Sequence, residues 1–131
     1  LDANTCIRLL NGSDAEVARR FKQCQPADIV LCSVVRAELL YGARRGARVD
    51  FNLNRLKRFS APLQSLAFDD RSAHDYGLIR ADLAAQGKPI GANYLMIAAI
   101  ARAHDLTLVT HNTSEFSRVA GLRIEDWESS P

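Results

Sequence analysis

Three carboxylates in this chain stand where a carboxylate asks for a reason: Asp2, Glu38 and Glu115. Asp2 directly follows an apolar residue at what reads as the end of a strand, although an Asp there also serves as an ordinary turn or cap residue. Glu38 is more informative. On a helical wheel Val34, Val35 and Glu38 share one arc with Tyr41 beside them, while Arg36 and Ala43 fall on the far side. Glu38 is therefore expected to point along an apolar face. A carboxylate buried there is costly unless it pairs with a buried arginine, binds a metal or works as a base. The third region, Thr110 to Phe116, offers neutral oxygens on Thr110 and Asn112 and a carboxylate on Glu115. Such a loop suits a hard cation, and it suits a helix cap at Asn112 or Ser114 equally well.

Oxygen donors without histidine or cysteine point to Mg²⁺ or Mn²⁺ rather than zinc. His74, His104 and His111 are scattered, and Cys6, Cys24 and Cys32 are odd in number with no Cys-x-x-Cys pair. Free thiols in a reducing cytoplasm are the expectation. The net charge of +2 decides little, but its distribution is uneven. Between Arg36 and Arg58 lie Arg36, Arg44, Arg45, Arg48, Arg55, Lys57 and Arg58 against Glu38 and Asp50, seven minus two, a local excess of five. That run fits a phosphate-facing surface or a solvated helix face. The other end is acidic, with Glu125, Asp126 and Glu128. Acids gathered near a basic surface suggest phosphodiester chemistry, in which a metal-activated water attacks phosphorus.

The elements that would position these groups can be read from capping and periodicity. Leu1-Asp2 looks like the end of a strand, so a few upstream residues are expected to be absent from the numbering. Ser13 to Glu16 reads as a capping box opening a helix with Val17, Phe21 and Cys24 on one side. Pro26 to Asp28 is a loop, and Ile29 to Cys32 a strand. Ser33 is expected to cap a helix running to about Ala43, closed by Gly42 and Gly46. Asp50 or Asn52 opens another helix, with Leu53, Leu56 and Phe59 on one side. Leu63 to Phe68 is a strand. Asp69, Asp70 and Ser72 can cap the helix that follows. After the Gly87 to Gly91 loop comes an almost wholly apolar helix, Ala92 to Ala103. Thr107 to Thr110 is a strand, Ser114 to Val119 a turn or short helix, and Leu122 to Trp127 an edge strand.

Strands alternating with helices imply an α/β fold with a central parallel sheet and helices on both faces. Ligands of such sheets bind outside the carboxyl ends of the strands. Asp2, the helix after Ser33 and the Thr110 to Glu115 loop all follow strands directly. A length of 131 residues suits one domain, and 47% hydrophobic residues suffice for its core. No apolar run approaches the ~18 residues of a membrane span.

Taken in order, these segments resemble the PIN-domain ribonucleases of the VapC toxin type. Leu1-Asp2-Ala-Asn-Thr5 is similar to the Leu-Asp-Thr-Asn start of PIN domains, and Glu38-Leu-Leu-Tyr-Gly42 to their Glu-Leu-x-x-Gly helix. Gly87-Lys-Pro-Ile-Gly-Ala-Asn-Tyr94 resembles a Gly-x-x-x-Gly-x-x-Asp helix start. Leu108 to Phe116 resembles Val-Thr-x-Asn-x-x-Glu-Phe, and Leu122 to Trp127 the closing strand. Each motif is weak alone; the ordered set spans the whole chain as a single PIN domain, residues 1–131. The resemblance implies an acidic site at Asp2, Glu38, position 94 and Glu115, with Asn4, Thr110 and Asn112 in support. It also implies a Mg²⁺- or Mn²⁺-dependent endoribonuclease, the toxin of a type II toxin–antitoxin pair. Such a toxin forms a homodimer or a toxin–antitoxin hetero-oligomer, is held by a VapB-type antitoxin, and cuts RNA, commonly tRNA. Arg44, Arg45, Arg48, Arg55 and Arg58 are the expected RNA contacts.

One position breaks the pattern. Where the family carries Asp, this chain has Tyr94. A phenol that titrates near pH ~10 supplies no carboxylate at neutral pH, and its bulk is expected to intrude on the site. Asn93 beside it offers only a neutral oxygen. The resemblance therefore predicts weak metal binding and impaired turnover, or in the alternative a non-catalytic module that keeps the RNA and antitoxin surfaces. A haloacid-dehalogenase-like phosphatase, which also begins with an Asp after a strand, needs a second Asp where this chain has Asn4.

Overall fold

The computed structural model describes residues 1–128. Its strands are short and parallel. Strand β1 (Val30–Cys32) pairs with β2 (Gln64–Leu66) in the register Val30 to Gln64, Leu31 to Ser65 and Cys32 to Leu66. Strand β3 (Thr107–Val109) pairs with β4 (Arg123–Glu125), Leu108 lying opposite Ile124. The first two residues lie between these pairs. The Leu1 nitrogen donates to the Val30 carbonyl at 3.1 Å and the Asp2 N–H to the Val109 carbonyl at 3.0 Å. Leu1-Asp2 forms no strand of its own, where the end of one was expected, but these two bonds put Asp2 at the carboxyl edges of β1 and β3.

Helix α1 (Ala3–Asn11) starts at once from Asp2, whose carboxylate caps it by accepting from the Thr5 N–H. Gly12 ends it in the left-handed region at φ 61, which a residue with a Cβ rarely adopts. Helix α2 (Ala15–Gln23) is capped by Asp14, which accepts from the Glu16 and Val17 N–H groups. Ser13 therefore does not cap it. A 3₁₀ turn at Pro26–Asp28 replaces the expected loop.

Helix α3 (Ser33–Arg45) begins one residue earlier than a Ser33 cap allows. Ser33 is already helical, and its hydroxyl reaches across to the Leu66 carbonyl. The helix also runs through Gly42 and stops only at Gly46. Helix α4 (Val49–Ser60) starts after Arg48 rather than at Asp50 or Asn52. Helix α5 (Asp70–Ala85) is capped by Asp69, which accepts from the Ser72 N–H and hydroxyl. Helix α6 (Ala92–Ala103) has the expected bounds and buries Leu95 and Ile97 to Ala101. A single helical turn, α7 (Thr113–Phe116), links β3 to β4.

The main core gathers Leu31 from β1, Val35 from the start of α3, Ile79 and Leu83 from α5, the buried face of α6, Leu108 and Phe116. A small second core joins Val17, Val109 and Trp127. Two of the most deeply buried side chains are polar, Ser72 and Thr110. Among the described residues no helix is long and apolar enough to cross a membrane.

Candidate active site

Asp2 is 7% exposed, and each of its oxygens is engaged. Oδ1 accepts from the Thr5 N–H at 2.9 Å, and Oδ2 accepts from the Thr110 hydroxyl at 2.6 Å. Thr110 is wholly buried, and its own Oγ1 accepts from the Asn112 N–H at 3.0 Å. Its backbone N–H donates to the Glu125 carbonyl. The first residue after β3 thus orients the acid at the head of α1, and the Asn112 N–H fixes the direction of the Thr110 O–H. Two segments 108 residues apart in sequence meet here.

Glu38 approaches the same edge from the middle of α3. The residue is half-buried, but its Oε1 is buried and has no hydrogen-bond partner. Burial, and then the nearby Asp2 charge, push the Glu38 carboxyl above its ordinary range. Glu38 also bears on Cys32, whose thiol burial pushes up. Val35 and Leu39 beside it are buried, as the wheel predicts, whereas Tyr41 is 66% exposed and lies off the apolar face. No buried arginine pairs with Glu38 among the described residues.

The remaining expected site residues are placed differently. Asn4 is exposed on the first turn of α1. Glu115 is half-buried on α7 and makes no hydrogen bond or ion pair with Asp2 or Glu38. Tyr94 sits in the first turn of α6, and its ring packs edge-on against Phe116, centroids 5.4 Å apart at 61°. Where an Asp would present an anion, this chain places a hydrocarbon contact that ties α6 to α7.

No group of three or more His, Cys, Asp or Glu is placed to hold a metal ion among the described residues. Asp2 and Glu38 nonetheless suit a hard divalent cation. Such ions are often held by one or two carboxylates, with water and phosphate oxygens completing the shell. An unsatisfied buried oxygen beside a second carboxylate is the donor that such an ion completes. The third and fourth positions of the expected set are where the arrangement is thin.

The basic run divides in two. Arg44, Arg45, Arg48 and Arg58 are exposed. Arg55 is tied inward, donating to the Leu10 carbonyl at 3.0 Å and to Asn11 Oδ1 at 3.4 Å, so it fastens α4 to the end of α1. The sequence reading missed α1 altogether. The signal was present in Asp2-x-x-Thr5 and the Gly12 stop, a cap at one end and a left-handed glycine at the other.

A fold of parallel strands with acids at their carboxyl edge defines a class, and the comparisons name it. The model of the PIN domain matches residues 1–122, and the chain belongs to that family. It is 42% identical over 127 residues to the "tRNA(fMet)-specific endonuclease VapC" of Shigella flexneri, covering 97% of this chain and 96% of the relative. Its structure matches a chain of "DNA bound VapBC from Salmonella typhimurium" with TM-score 0.90 at 36% identity, covering 96% and 95% of the two chains. A chain of VapBC2 from Rickettsia felis, bound to a promoter DNA fragment, matches with TM-score 0.89 at 31% identity over 96% of each.

Proposed function

We propose that this chain is the toxin of a type II toxin–antitoxin system, built as a divalent-metal endoribonuclease whose turnover Tyr94 impairs. The observation that carries the reading is the unsatisfied buried oxygen of Glu38 next to Asp2 at the carboxyl edge of the sheet. The near-full-length relatives named as VapC endonucleases support it, and the tRNA specificity in the names of two of them makes tRNA the favoured RNA. The cofactor is Mg²⁺ or Mn²⁺, held by Asp2 and Glu38, with Glu115 and position 94 as the family's further acids. The protein works in the cytoplasm as a homodimer or in a hetero-oligomer with a VapB-type antitoxin; the similarity to chains of VapBC complexes supports the antitoxin partner.

A bound divalent cation would supply Lewis acidity for attack of water on phosphorus and would offset charge on the phosphate oxygens. The chain's own part is positional. Thr5 and Thr110 hold the Asp2 carboxylate in one orientation, so no reorganisation is needed when substrate arrives. Glu38 keeps one oxygen free for a ligand. The exposed arginines draw the RNA backbone toward this edge.

The packing of Tyr94 on Phe116 favours a second reading, a non-catalytic RNA- and antitoxin-binding module. Comparing this chain with Tyr94→Asp separates the two. Tyr94→Asp is expected to cut structured RNA in Mg²⁺ or Mn²⁺ and to stop when EDTA is added. Its products should carry 5′-phosphate and 3′-hydroxyl ends. The unsubstituted chain should be at least tens of times slower, since a lost ligating carboxylate costs more than ~2 kcal/mol in the transition state. Adding Glu38→Gln to Tyr94→Asp should abolish cleavage with the fold intact. Products ending in 2′,3′-cyclic phosphate, or cleavage that survives EDTA, would overturn the metal mechanism. A Tyr94→Asp protein that binds RNA but never cuts it supports the binding module.

A further inference from the structure

We propose that the cleft between α1, α3 and α4 is a track for one RNA strand beyond the scissile bond, where Gly42 leaves helix α3 bare for the sugar–phosphate chain and Arg45 holds a phosphate further along. This rests on the ribonuclease reading and adds to it a residue that positions the substrate. Glu38, Gly42 and Arg45 are spaced i, i+4 and i+7, share one face of α3, and all three line the cleft. Ile7 and Asn11 of α1 and Arg55 of α4 line it from the other helices. The α3 face therefore starts at a site acid, crosses a glycine and ends on a cation. Seven residues of helix rise about 10 Å, which sets Arg45 at a different phosphate from the one at the acids. Gly42 is the residue that the protein's own packing does not explain. It lies inside a helix, where glycine is less favourable than alanine. Its φ is not positive, and a Cβ built on it would meet nothing within 4 Å. Neither a turn nor a packed neighbour demands it. The missing side chain leaves open space in the cleft wall, midway between Glu38 and Arg45, where another chain can approach the helix backbone closely.

Polar atoms without partners converge on the same place. Three buried side-chain atoms lack a hydrogen-bond partner among the described residues: Arg8 Nε, Glu38 Oε1 and Arg55 Nε. Arg8 Nε has a Glu128 carboxylate oxygen at 2.9 Å. The other two belong to residues that line this cleft. Arg55 donates to the Leu10 carbonyl and to Asn11 through its terminal nitrogens and keeps Nε without an acceptor. Arg45 makes no ion pair among the described residues, and its guanidinium lies 5.5 Å from the centre of the Tyr41 ring. Two guanidinium groups short of acceptors suit phosphate oxygens, which only accept. The Glu38 charge opposes a phosphate at one end of the cleft, and the cation proposed at Asp2 and Glu38 reverses that sign. The cleft volume is about 210 Å³. That excludes a duplex and an α-helix, ~10–12 Å across with its side chains, but takes part of a single strand.

The test measures binding of a labelled single-stranded oligoribonucleotide by fluorescence anisotropy, in EDTA and again in freshly added Mg²⁺, together with denaturant unfolding of each variant. Gly42→Ala should raise the unfolding midpoint, because alanine is the better helix former, and should nonetheless weaken RNA binding several-fold. Gly42→Leu fills the cleft further. It should weaken binding by about tenfold and leave the slope of log affinity against log salt unchanged, since no charge is lost. Arg45→Ala should weaken binding and flatten that slope by about 0.7, one phosphate's share for a single strand. Arg58→Ala, exposed but outside the cleft, should lose less than Arg45→Ala. A Gly42→Leu protein that folds and binds RNA as the unsubstituted chain does overturns the track and leaves the ribonuclease reading in place. If Gly42→Leu fails to fold, a more stable Gly42→Ala protein with unchanged RNA binding overturns it equally. Unchanged RNA binding with a weaker grip on a VapB-type antitoxin overturns it too and assigns the cleft to the protein partner. If the unsubstituted chain binds the strand in neither buffer, the RNA reading fails and the track with it.

Discussion

Asp2 and Glu38 act on each other electrostatically at one edge of the sheet, yet their surroundings are opposite. Asp2 is fully engaged: it caps α1, and it accepts the buried Thr110 hydroxyl. Glu38 occupies the middle of a helix, where a glutamate has no structural duty, and one of its oxygens is buried without a partner. The first acid holds the fold together as well as facing the site. The second contributes nothing visible to the fold, and its burial disfavours its charge. A residue kept at such a cost is explained by a ligand, whereas Asp2 would be explained without one. The comparison thus separates two kinds of acid that sequence patterns treat alike.

The sharpest way to break the comparison is to truncate each acid in EDTA and measure denaturant unfolding. Asp2→Ala removes a helix cap and leaves the buried Thr110 O–H without its acceptor, an expected loss of about 2–3 kcal/mol. Glu38→Gln removes a charge that is disfavoured both by burial and by Asp2. Stability should stay the same or rise, by at most about 1 kcal/mol. A Glu38→Gln protein as damaged as Asp2→Ala would mean that Glu38 has a structural partner after all.

Thr110 tests the same contrast one step removed. Thr110→Val keeps the shape but removes the donor to Asp2 and the acceptor for the Asn112 N–H, an expected loss of about 1–2 kcal/mol. Thr110→Ser should recover most of it. Full stability in Thr110→Val would show that the Asp2 orientation does not depend on this bond.

The difference between the acids also explains what was legible in advance. The α/β class, the parallel strands and the bounds of α6 follow from local pattern, because apolar periodicity and glycine loops are written in consecutive residues. Three helix starts were misplaced because the cap is chosen by backbone geometry rather than residue type. Cys32 and Arg48 stand before α3 and α4 without any side-chain bond, and Asp14 displaces Ser13. Glu38 could be singled out because a carboxylate among valines conflicts with its local context. Its lack of a partner could not, since that depends on which side chains α1 and α4 bring near it. Arg55 shows the same limit: in sequence it belongs to a basic run, in space to the end of α1.

Arg55 therefore supplies a smaller contrast within that run. Arg55→Ala loses a charge-assisted bond to the Leu10 carbonyl and the packing of its stem, for an expected cost of about 1 kcal/mol. Arg44, Arg45 and Arg48 changed together to Ala should alter stability by no more than about 0.5 kcal/mol per site. The triple variant should instead weaken tRNA binding and flatten its salt dependence. If Arg55→Ala proves neutral for folding, that arginine rejoins the phosphate-facing set.

The smallest expected effect comes from a control for Asp2. Asp69 caps α5 as Asp2 caps α1, by accepting from an N–H three residues on, but it faces solvent and bonds to His104 rather than to a site residue. The Ser72 N–H, then the Ser72 hydroxyl and His104, hold the Asp69 carboxyl below its ordinary value. A carboxyl depressed in the folded state contributes stability that is complete above its unfolded value, near pH ~3.9, and is lost as pH falls through the lower folded value. Asp69→Ala should therefore unfold at a lower temperature than the unsubstituted chain at pH 7, and the gap should narrow below about pH 4. A gap that persists in acid would trace the effect to lost packing rather than to the ionised cap. Placed in the Tyr94→Asp background, Asp69→Ala should cut RNA at the same rate as Tyr94→Asp alone. Asp2→Ala in that background should not cut at all, since only one of the two caps also faces the site.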